Sequence, residues 1–520
     1  MRVPPPAARG PAVSARGVVA AQHRLAAEAG IAILAGGGNA VDAAVAAVLA
    51  VGVVEPWLSG IGGGGFMLVR LAAEGRVHGV DFGMVAAGGL DPARYALAGG
   101  DDGDWFRWPK VVDDRNLVGY EAICVPGAVA GLALAAERFG RRPWAELVAP
   151  AAALAGRGLP VDWYAALSIA VDAAGLAADP ASRAIYLPEG RPPVARDATV
   201  SGHLPNPALA ATFRRLATAG PRDFYEGAIA RSLAADLAAG GSAITPADLA
   251  AYRPRLVAPA VMDYRGVALH AMPGLTGGPT YLAALAMLAA QPLLPGGPDA
   301  AAFLAYAAAL RKADAVRLTR YGHAASATDP GCTSHVSVID AEGNMAAVTN
   351  SLLSRFGAKV TLPGSGILMN NAMMWFDPRP GHPNAIAAGR RPLANMCPVL
   401  ATKDGAPAFA MGAAGGRQIV PALVQLTSFL IDAGLTPEAA LRLPRIDTST
   451  ASVLCDARMP ADQQAALARA FPAARTEDTV YPVQFAVPNI VQHDPASGRN
   501  TGMAHPTTPW PVALAEDQAG

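Results

Sequence analysis

The chain has 520 residues, of which 52% are hydrophobic, so it can bury a large core without disulfides or metal ions. Lysine and arginine together number 41, as do aspartate and glutamate, and the zero formal charge argues against nucleic-acid binding, which calls for a basic surface. No segment has the pattern of a secretory signal or a membrane span, so we expect a cytoplasmic protein that does not enter a membrane.

The N-terminal quarter begins with residues 1–15, which we expect to form a disordered leader. A helix-like pattern follows from Gly17 to Gly30. Asn39 has the properties of a helix N-cap, because its side-chain oxygen can accept from exposed amides and Asp42 follows three residues later. The helix that it begins, Val41 to Val53, is apolar on all sides and should be buried between layers.

A glycine string occupies residues 60–65, and it formally satisfies the dinucleotide-binding pattern G-x-G-x-x-G. That pattern requires a strand before it and a helix after it. Here a helix precedes the glycines, and predicted strands at Phe66–Val69 and Val77–Phe82 follow them. We therefore interpret the glycines as positions of close backbone packing near a site.

The middle of the chain, from about Val125 to Ala325, is mainly helical by pattern, with a strand at Val267–His270. A loop of small and polar residues, Gly322–Gly331, ends this region. Hairpin-type strands then follow at Val336–Ile339, Met345–Val348 and Val399–Thr402. Because strands and helices do not alternate regularly, the sequence favours an α+β fold with layered antiparallel sheets covered by helices over a parallel doubly wound sheet.

Cysteine usage gives no sign of a metal or redox site. The four cysteines lack metal-ligand spacing and lie in apolar or turn segments: Cys124, Cys332, Cys397 and Cys455. We expect free thiols, and we expect neither a metal nor an organic cofactor.

Short sequence blocks follow one another in a characteristic order between residues 16 and 450. They are Asn39–Ala47, Gly52–Pro56, Ser59–Phe66, Val125–Leu132, Thr333–Asp340, Gly343–Asn344, Ser365–Asn371, Arg391–Leu393 and Gly412–Gly416. Together they resemble the gamma-glutamyltranspeptidase family of N-terminal-nucleophile (Ntn) hydrolases. The resemblance implies a four-layer αββα sandwich, with two stacked, mainly antiparallel sheets between helical layers.

The resemblance also implies self-cleavage just before Thr333. The Thr333 hydroxyl would attack the carbonyl of Cys332, and hydrolysis of the resulting ester would give fragments 1–332 and 333–520. The two fragments would stay paired as a heterodimer within one αββα domain. The freed α-amine, with an ordinary pKa of about 7.7–8.0, would then act as general base for its own hydroxyl.

Three further positions match catalytic positions of the family. Ser351 stands where a second hydroxyl steadies the nucleophile, and Gly415 with Gly416 stands where backbone amides stabilise the oxyanion. Other polar residues of the matching blocks are expected to be structural: His335, Asn370 and Asn371.

The substrate-binding positions depart from the family pattern. An arginine, two serines, an asparagine, a glutamine and an aspartate are expected, and their places are taken by Gly83, Ala394, Asn395, Leu353, Ala372 and Trp375. Only Asn395 can still hydrogen-bond, so both charge clamps for a glutamyl group are lost. We predict an apolar pocket walled by Met84, Leu353, Ala372, Met374, Trp375 and Trp57.

These observations predict an autoprocessing amidohydrolase or acyltransferase that cleaves a small-molecule amide with an aliphatic, aromatic or short dicarboxylic acyl group. Arg355, in the loop after Ser351, is either a contact for a substrate carboxylate or a solvated surface residue. The alternatives are a glutathione hydrolase and an unprocessed, non-catalytic binding protein, and the retained Thr333, Ser351 and glycine pair argue against the latter. The sequence leaves open the acyl group, the leaving amine and any assembly beyond the heterodimer.

Overall fold

The computed structural model describes residues 10–101, 108–196, 199–291, 297–321 and 332–518. The predicted loop Gly322–Gly331 lies outside the described residues, as do residues 1–9 of the predicted leader.

The strands are numbered in chain order. They are β1 (Ala12–Ser14), β2 (Val18–Ala21), β3 (Gly64–Leu71), β4 (Arg76–Phe82), β5 (Leu97–Asp101), β6 (Pro109–Val111), β7 (Leu159–Val161), β8 (Gly202–Leu204), β9 (Arg255–Val257), β10 (Ala260–Tyr264), β11 (Val267–Ala271), β12 (Cys332–Ile339), β13 (Met345–Leu353), β14 (Thr361–Leu362), β15 (Ile367–Leu368), β16 (Val399–Lys403), β17 (Ala406–Ala414), β18 (Ile446–Asp447), β19 (Val453–Asp456), β20 (Ala473–Thr476), β21 (Val487–Asp494), β22 (Arg499–Ala504) and β23 (Val512–Ala515).

The α-helices are numbered in the same way. They are α1 (Arg24–Ala35), α2 (Ala40–Val54), α3 (Ala128–Phe139), α4 (Trp144–Arg157), α5 (Trp163–Val171), α6 (Ala173–Ala178), α7 (Pro180–Tyr186), α8 (Pro207–Ala219), α9 (Asp223–Glu226), α10 (Ala228–Ala239), α11 (Pro246–Ala251), α12 (Gly278–Leu288), α13 (Ala300–Tyr321), α14 (Ile419–Ile431), α15 (Pro437–Arg442) and α16 (Ala461–Ala470). No helix of the described residues combines the length and the apolar character that crossing a membrane requires.

Two seven-stranded antiparallel sheets form the centre of the molecule. The first has the order β23-β2-β12-β13-β3-β4-β9, and the second has the order β1-β22-β21-β17-β16-β11-β10. Strands β12 and β13 pack face to face against β17 and β21 of the second sheet. Helices α1, α2 and α3 cover the first sheet, and α12, α14 and α15 cover the second. The predicted αββα sandwich is therefore confirmed.

Helix α2 begins where the sequence predicts it. The Asn39 side-chain oxygen accepts from the amides of Val41 and Asp42 at 3.0 and 3.1 Å, and the Asp42 carboxylate accepts from the Asn39 amide at 3.0 Å. This reciprocal capping satisfies amides that the first helical turn leaves without partners. Every residue of α2 except Gly52 is buried, and the helix packs on β12 and β13, the central strands of the first sheet.

The glycine string packs against backbone, as predicted. A β-carbon at Gly63 would overlap the carbonyl oxygen of Ser351, and one at Gly65 would overlap that of Thr349. A β-carbon at Gly62 would in the same way overlap the carbonyl oxygen of Leu368. Only glycine permits this approach, which places β3 directly beside the end of β13 that carries Ser351.

Two N-terminal predictions are wrong. The predicted leader contains β1, which pairs with β22 from the other end of the chain. The predicted helix from Gly17 to Gly30 is divided between β2, a buried strand of the first sheet, and α1, which begins only at Arg24. A four-residue apolar run such as Val18–Ala21 fits a buried strand and a buried helix equally well.

The free-thiol prediction holds for the cysteines whose side chains are described. Cys124, Cys397 and Cys455 are free and buried.

Candidate active site

Thr333 lies at an irregularity in the first sheet. The register between β12 and β13 shifts between Cys332 and Ser334, as in a β-bulge, which places one extra residue in a strand and turns its side chain. Thr333 is only 2% exposed, and its hydroxyl donates to the Ser351 hydroxyl oxygen at 3.4 Å. Ser351 Oγ also accepts from the amide of Leu353 at 2.9 Å, which fixes its orientation. The structure thus brings the two predicted hydroxyl residues together.

The residues that follow Thr333 are held by buried hydrogen bonds. The Ser59 hydroxyl donates to Ser334 Oγ at 2.9 Å, and the His335 amide donates to the side-chain oxygen of Gln22 at 3.3 Å. The His335 ring bonds to Thr349 Oγ1 at 2.7 Å, and burial lowers the pKa of His335 to about 3. His335 is therefore uncharged at neutral pH and packs within the sandwich, so its predicted structural role is confirmed.

Asn370 and Asn371 are also structural, as predicted. The Asn370 amide group donates to the carbonyls of Gly62 and Cys124 at 2.7 and 2.9 Å. Asn371 accepts from the Ser354 amide at 3.0 Å. The two side chains thus fix the glycine string and the loop after Ser351.

Gly415 and Gly416 form the turn between β17 and α14. Their φ values are +137° and +51°, and Gly416 opens a short 3₁₀ turn that leads into α14. Neither glycine amide donates to a backbone carbonyl of the described residues. Amides at the start of a helix carry partial positive charge and bind anions. The turn is therefore chemically suited to stabilise an oxyanion.

A small cavity of about 30 Å³ lies beside this turn, with Gly415, Gln22, Glu55 and Arg355 among its lining residues. That volume is enough for about one water molecule. Glu55 is buried, and one of its carboxyl oxygens has no hydrogen-bond partner among the described residues. Burial, reinforced by the charge of Asp162, holds the pKa of Glu55 well above its usual range. The raised pKa favours the neutral form of the Glu55 carboxyl, which opposes an oxyanion at the turn less than a carboxylate would.

Arg355 is not a solvated surface residue, which corrects one of the two alternatives. Its Nε bonds to the Asp172 carboxylate at 2.7 Å, and a terminal nitrogen donates to the Ser168 carbonyl at 2.9 Å. The Arg355 and Asp172 side chains are 12% and 13% exposed. Lys359 pairs with the same carboxylate. This buried cluster stabilises the loop after Ser351 and satisfies much of the arginine's hydrogen-bonding capacity.

A larger cavity of about 360 Å³ is lined by Phe66 of β3, Asp81 of β4 and Val257 of β9, and neither Thr333 nor Ser351 is among its lining residues. Four predicted substrate-binding positions line it, namely Gly83, Met84, Trp375 and Ala394. The other predicted positions are buried and do not line it: Leu353, Ala372, Met374, Asn395 and Trp57. Trp57 instead packs with Tyr164 and Phe356 in a separate apolar cluster.

Asn395 is engaged by a buried arginine. Its side-chain oxygen accepts from Arg317 at 3.0 Å, and the same guanidinium donates to the carbonyls of Thr276 and Ala394, both at 2.5 Å. Thr276 and Ala394 line the larger cavity. Asn395 therefore supports the cavity wall from behind.

The larger cavity departs from the predicted apolar pocket in one respect, because three charged residues line it beside the apolar ones. Asp81 accepts from Arg391 at 3.0 Å and pairs with Arg255 through its other carboxylate oxygen. Arg391 also donates to the Gly83 carbonyl at 2.5 Å. No sequence spacing links these residues, since Arg255 reaches Asp81 only through the pairing of β9 with β4. Among the described residues, no cluster of three or more potential metal ligands occurs.

Comparisons with known proteins cover nearly the whole chain. The family model for gamma-glutamyltranspeptidase matches residues 26–295 and 297–508. The chain is 34% identical over 507 residues to the acylase ACY 1 proenzyme of Pseudomonas sp. (strain V22), covering 90% of this chain and 88% of that protein. It is 31% identical over 490 residues to the glutathione hydrolase proenzyme of Escherichia coli (strain K12), covering 84% and 81% of the two chains.

A solved structure is similar over almost the full length of both chains. The cephalosporin acylase from Bacillus halodurans superposes with a TM-score of 0.85 at 28% identity, covering 98% of this chain and 97% of that chain.

Proposed function

Because the chain belongs to the gamma-glutamyltranspeptidase family of Ntn amide hydrolases, we propose that it is a self-processing acylase whose acyl group lacks the α-amine of γ-glutamate. Thr333 is the nucleophile, and the amide substrate places its acyl group in the larger cavity. Two similar proteins support this proposal, since one is named an acylase proenzyme and the other is a cephalosporin acylase of known structure.

The first step in the proposal is cleavage of the chain between Cys332 and Thr333. The Thr333 oxygen adds to the Cys332 carbonyl, and its proton passes to the Thr333 nitrogen as the C–N bond breaks, which leaves an ester. Water then hydrolyses the ester, which gives a carboxyl group on Cys332 and restores the hydroxyl of Thr333, whose amine was freed when the C–N bond broke. The hydrogen bond from Thr333 to Ser351 and the bulge at Thr333 support this role, because they fix the hydroxyl in a buried position.

The second step is acyl transfer from the substrate. The Thr333 amine takes the hydroxyl proton as the oxygen attacks the amide carbonyl, and the Gly415 and Gly416 amides stabilise the oxyanion. The protonated amine then delivers its proton to the leaving nitrogen. Water then takes the place of the leaving amine: the Thr333 amine accepts a proton from the water as its oxygen attacks the ester, and it passes that proton to the Thr333 oxygen as the acyl group leaves as a carboxylic acid. The proton that restores the Thr333 hydroxyl thus comes from water, since the original one has left with the amine product.

One observation carries the choice of acyl group: among the described residues that line the larger cavity, Asp81 is the only acidic one, and both arginines already bind it. A substrate ammonium would therefore enter without a free negative partner, while it lies close to two guanidinium groups. An unpaired buried polar group costs about 1–3 kcal/mol, and a charged one costs more. A γ-glutamyl group is therefore a poor fit to this cavity because of its α-amine.

The second candidate function is glutathione hydrolysis. The arginines of the same cavity support it in one respect, the binding of the substrate's α-carboxylate. They supply positive charge for an α-carboxylate from positions other than Gly83, where the family arginine is missing. The two candidates differ in the α-amine alone, so a pair of substrates that differ only in that group separates them.

We expect glutaryl-p-nitroanilide to be cleaved with a kcat/KM about a hundredfold or more above that of γ-glutamyl-p-nitroanilide. Glutaryl is γ-glutamyl without the α-amine, and about 1.4 kcal/mol corresponds to a tenfold change in rate. Both rates are measured on one enzyme preparation, so that incomplete processing cancels in the ratio. If γ-glutamyl-p-nitroanilide is instead the better substrate by tenfold, the protein is a glutathione hydrolase.

A further inference from the structure

The small cavity beside Gly415 borders the strand of the proposed nucleophile. Gln22 lines this cavity, and its side-chain oxygen accepts at 3.3 Å from the amide of His335, two residues after Thr333. Ala414 and Gly415 also line it, at the end of β17. Strand β17 packs on β12, which carries Thr333. The cavity therefore lies between the strand of the nucleophile and the turn that is proposed to hold the oxyanion.

The same cavity borders the end of β13. Leu58 lines it, and the Leu58 carbonyl accepts at 3.2 Å from the amide of Leu352. Leu352 directly follows Ser351, whose hydroxyl accepts from Thr333. Residues bonded to the neighbours of both hydroxyl residues thus enclose one cavity of about 30 Å³, which has room for about one water molecule.

Glu55 brings an unsatisfied oxygen to this cavity. The residue follows helix α2 as its C-cap, lines the cavity and is only 1% exposed. One of its carboxyl oxygens has no hydrogen-bond partner among the described residues. A buried oxygen without a partner is unfavourable, and a water molecule in the cavity supplies that partner.

The Glu55 carboxyl favours its neutral form. Burial and the charge of Asp162 raise the pKa of Glu55 well above its usual range, and the negative end of the α2 dipole acts in the same direction. Burial raises the pKa of Asp162 as well, but hydrogen bonds from two backbone amides and the Trp510 indole favour its charged form. A neutral Glu55 can orient a water molecule near the oxyanion turn without adding a second negative charge there.

We propose that Glu55 is a positioning residue for the hydrolytic water, which it holds in the small cavity for attack on the acyl-Thr333 ester. This proposal rests on the proposed function, in which Thr333 carries the acyl group. The water gives one proton to the Thr333 amine as its oxygen bonds to the acyl carbon, and it donates its other hydrogen to the unsatisfied oxygen of Glu55. The amine then passes its proton to the Thr333 oxygen as the ester bond breaks and the carboxylic acid leaves. Glu55 neither gains nor loses a proton.

Glu55 therefore acts in deacylation, whereas acylation uses no water from the cavity. The two steps are measured separately with glutaryl-p-nitroanilide. The kcat/KM for release of p-nitroaniline reports acylation. Hydroxylamine, added at a fixed concentration, attacks the acyl ester in place of water and gives a hydroxamate. The ratio of hydroxamate to glutarate then reports how well water competes in deacylation.

Glu55→Met removes the acceptor oxygen and keeps an unbranched side chain. It should leave kcat/KM for p-nitroaniline release within about twofold of wild type and raise the ratio of hydroxamate to glutarate about tenfold or more, because water loses its positioning. Glu55→Leu, a second apolar variant, should behave in the same way. Glu55→Gln keeps an acceptor oxygen without a charge, so its ratio should stay within about threefold of wild type. The ratio does not depend on the amount of active enzyme, so incomplete folding or processing cancels.

Asp447→Asn is the matched control. Asp447 is also a buried carboxyl with one oxygen that has no partner among the described residues, burial raises its pKa to about 6, and it lines neither the small nor the larger cavity. It should change neither kcat/KM nor the product ratio. An unchanged ratio in the apolar variants, or an equal rise in Glu55→Gln, would overturn the role of Glu55 alone. A wild-type enzyme that forms no hydroxamate would overturn the acyl-enzyme as well, so the two failures are distinguishable.

Discussion

Replacement of Thr333 by alanine should leave a single uncleaved chain and lower amidase activity by at least about 10⁴-fold. The change removes the hydroxyl that the proposed mechanism uses twice, in cleavage after Cys332 and in attack on the substrate. Denaturing gel electrophoresis should show two bands for the wild type and one for Thr333→Ala. N-terminal sequencing of the smaller wild-type fragment should read Thr-Ser-His-Val.

Thr333→Ser is the control for this change, because it keeps the hydroxyl and loses only a methyl group. It should still cleave itself and retain activity. The assignment fails if wild-type enzyme is fully active as a single band, or if Thr333→Ala is cleaved at the same bond.

Replacement of Gly416 by valine should lower turnover by about 10²–10³-fold, the usual effect of losing one oxyanion-hole donor. Gly416 has a φ of +51°, which a β-branched residue adopts only with strain, so the amides of the turn before α14 should move. Turnover of the processed enzyme is measured with a glutaryl anilide, and thermal unfolding reports whether the fold survives.

Gly416→Asn is the control for this change. Asparagine tolerates left-handed backbone conformations better than other residues with a side chain, so the amides of the turn should keep their positions. We expect this variant to keep most of its activity. A folded Gly416→Val enzyme with wild-type turnover would show that this turn does not stabilise the oxyanion.

Features that depend on neighbouring residues are the ones that sequence predicts well here. The Asn39 cap and the burial of α2 follow from a side chain three residues from its partner and from an apolar run. The glycine string is interpreted correctly for a related reason, since the helix and strand on either side of it already exclude a dinucleotide site. Ser351, whose hydroxyl accepts from Thr333, is predicted from the sequence because its position matches that of a second hydroxyl residue in the family.

Features that depend on distant pairing are the ones that sequence misses. Strand β1 is stabilised by β22, and nothing near Ala12 indicates that partner. Arg255 meets Asp81 because β9 pairs with β4. Arg355 is buried because it pairs with Asp172, which is distant in sequence and lies between α5 and α6. A charged cavity therefore stands where loss of the family's charged residues predicts an apolar one.

The central claim is that Thr333 is the N-terminal nucleophile and carries the acyl group. The most direct test is mass spectrometry of enzyme that is quenched in acid while it turns over glutaryl-p-nitroanilide. We predict a small fragment that begins at Thr333 and carries one glutaryl group as an ester on that residue, with no adduct on fragment 1–332. Thr333→Ala should show neither the fragment nor the adduct. An active enzyme that accumulates its acyl group on another residue, or that turns over as an intact 520-residue chain, would contradict this mechanism.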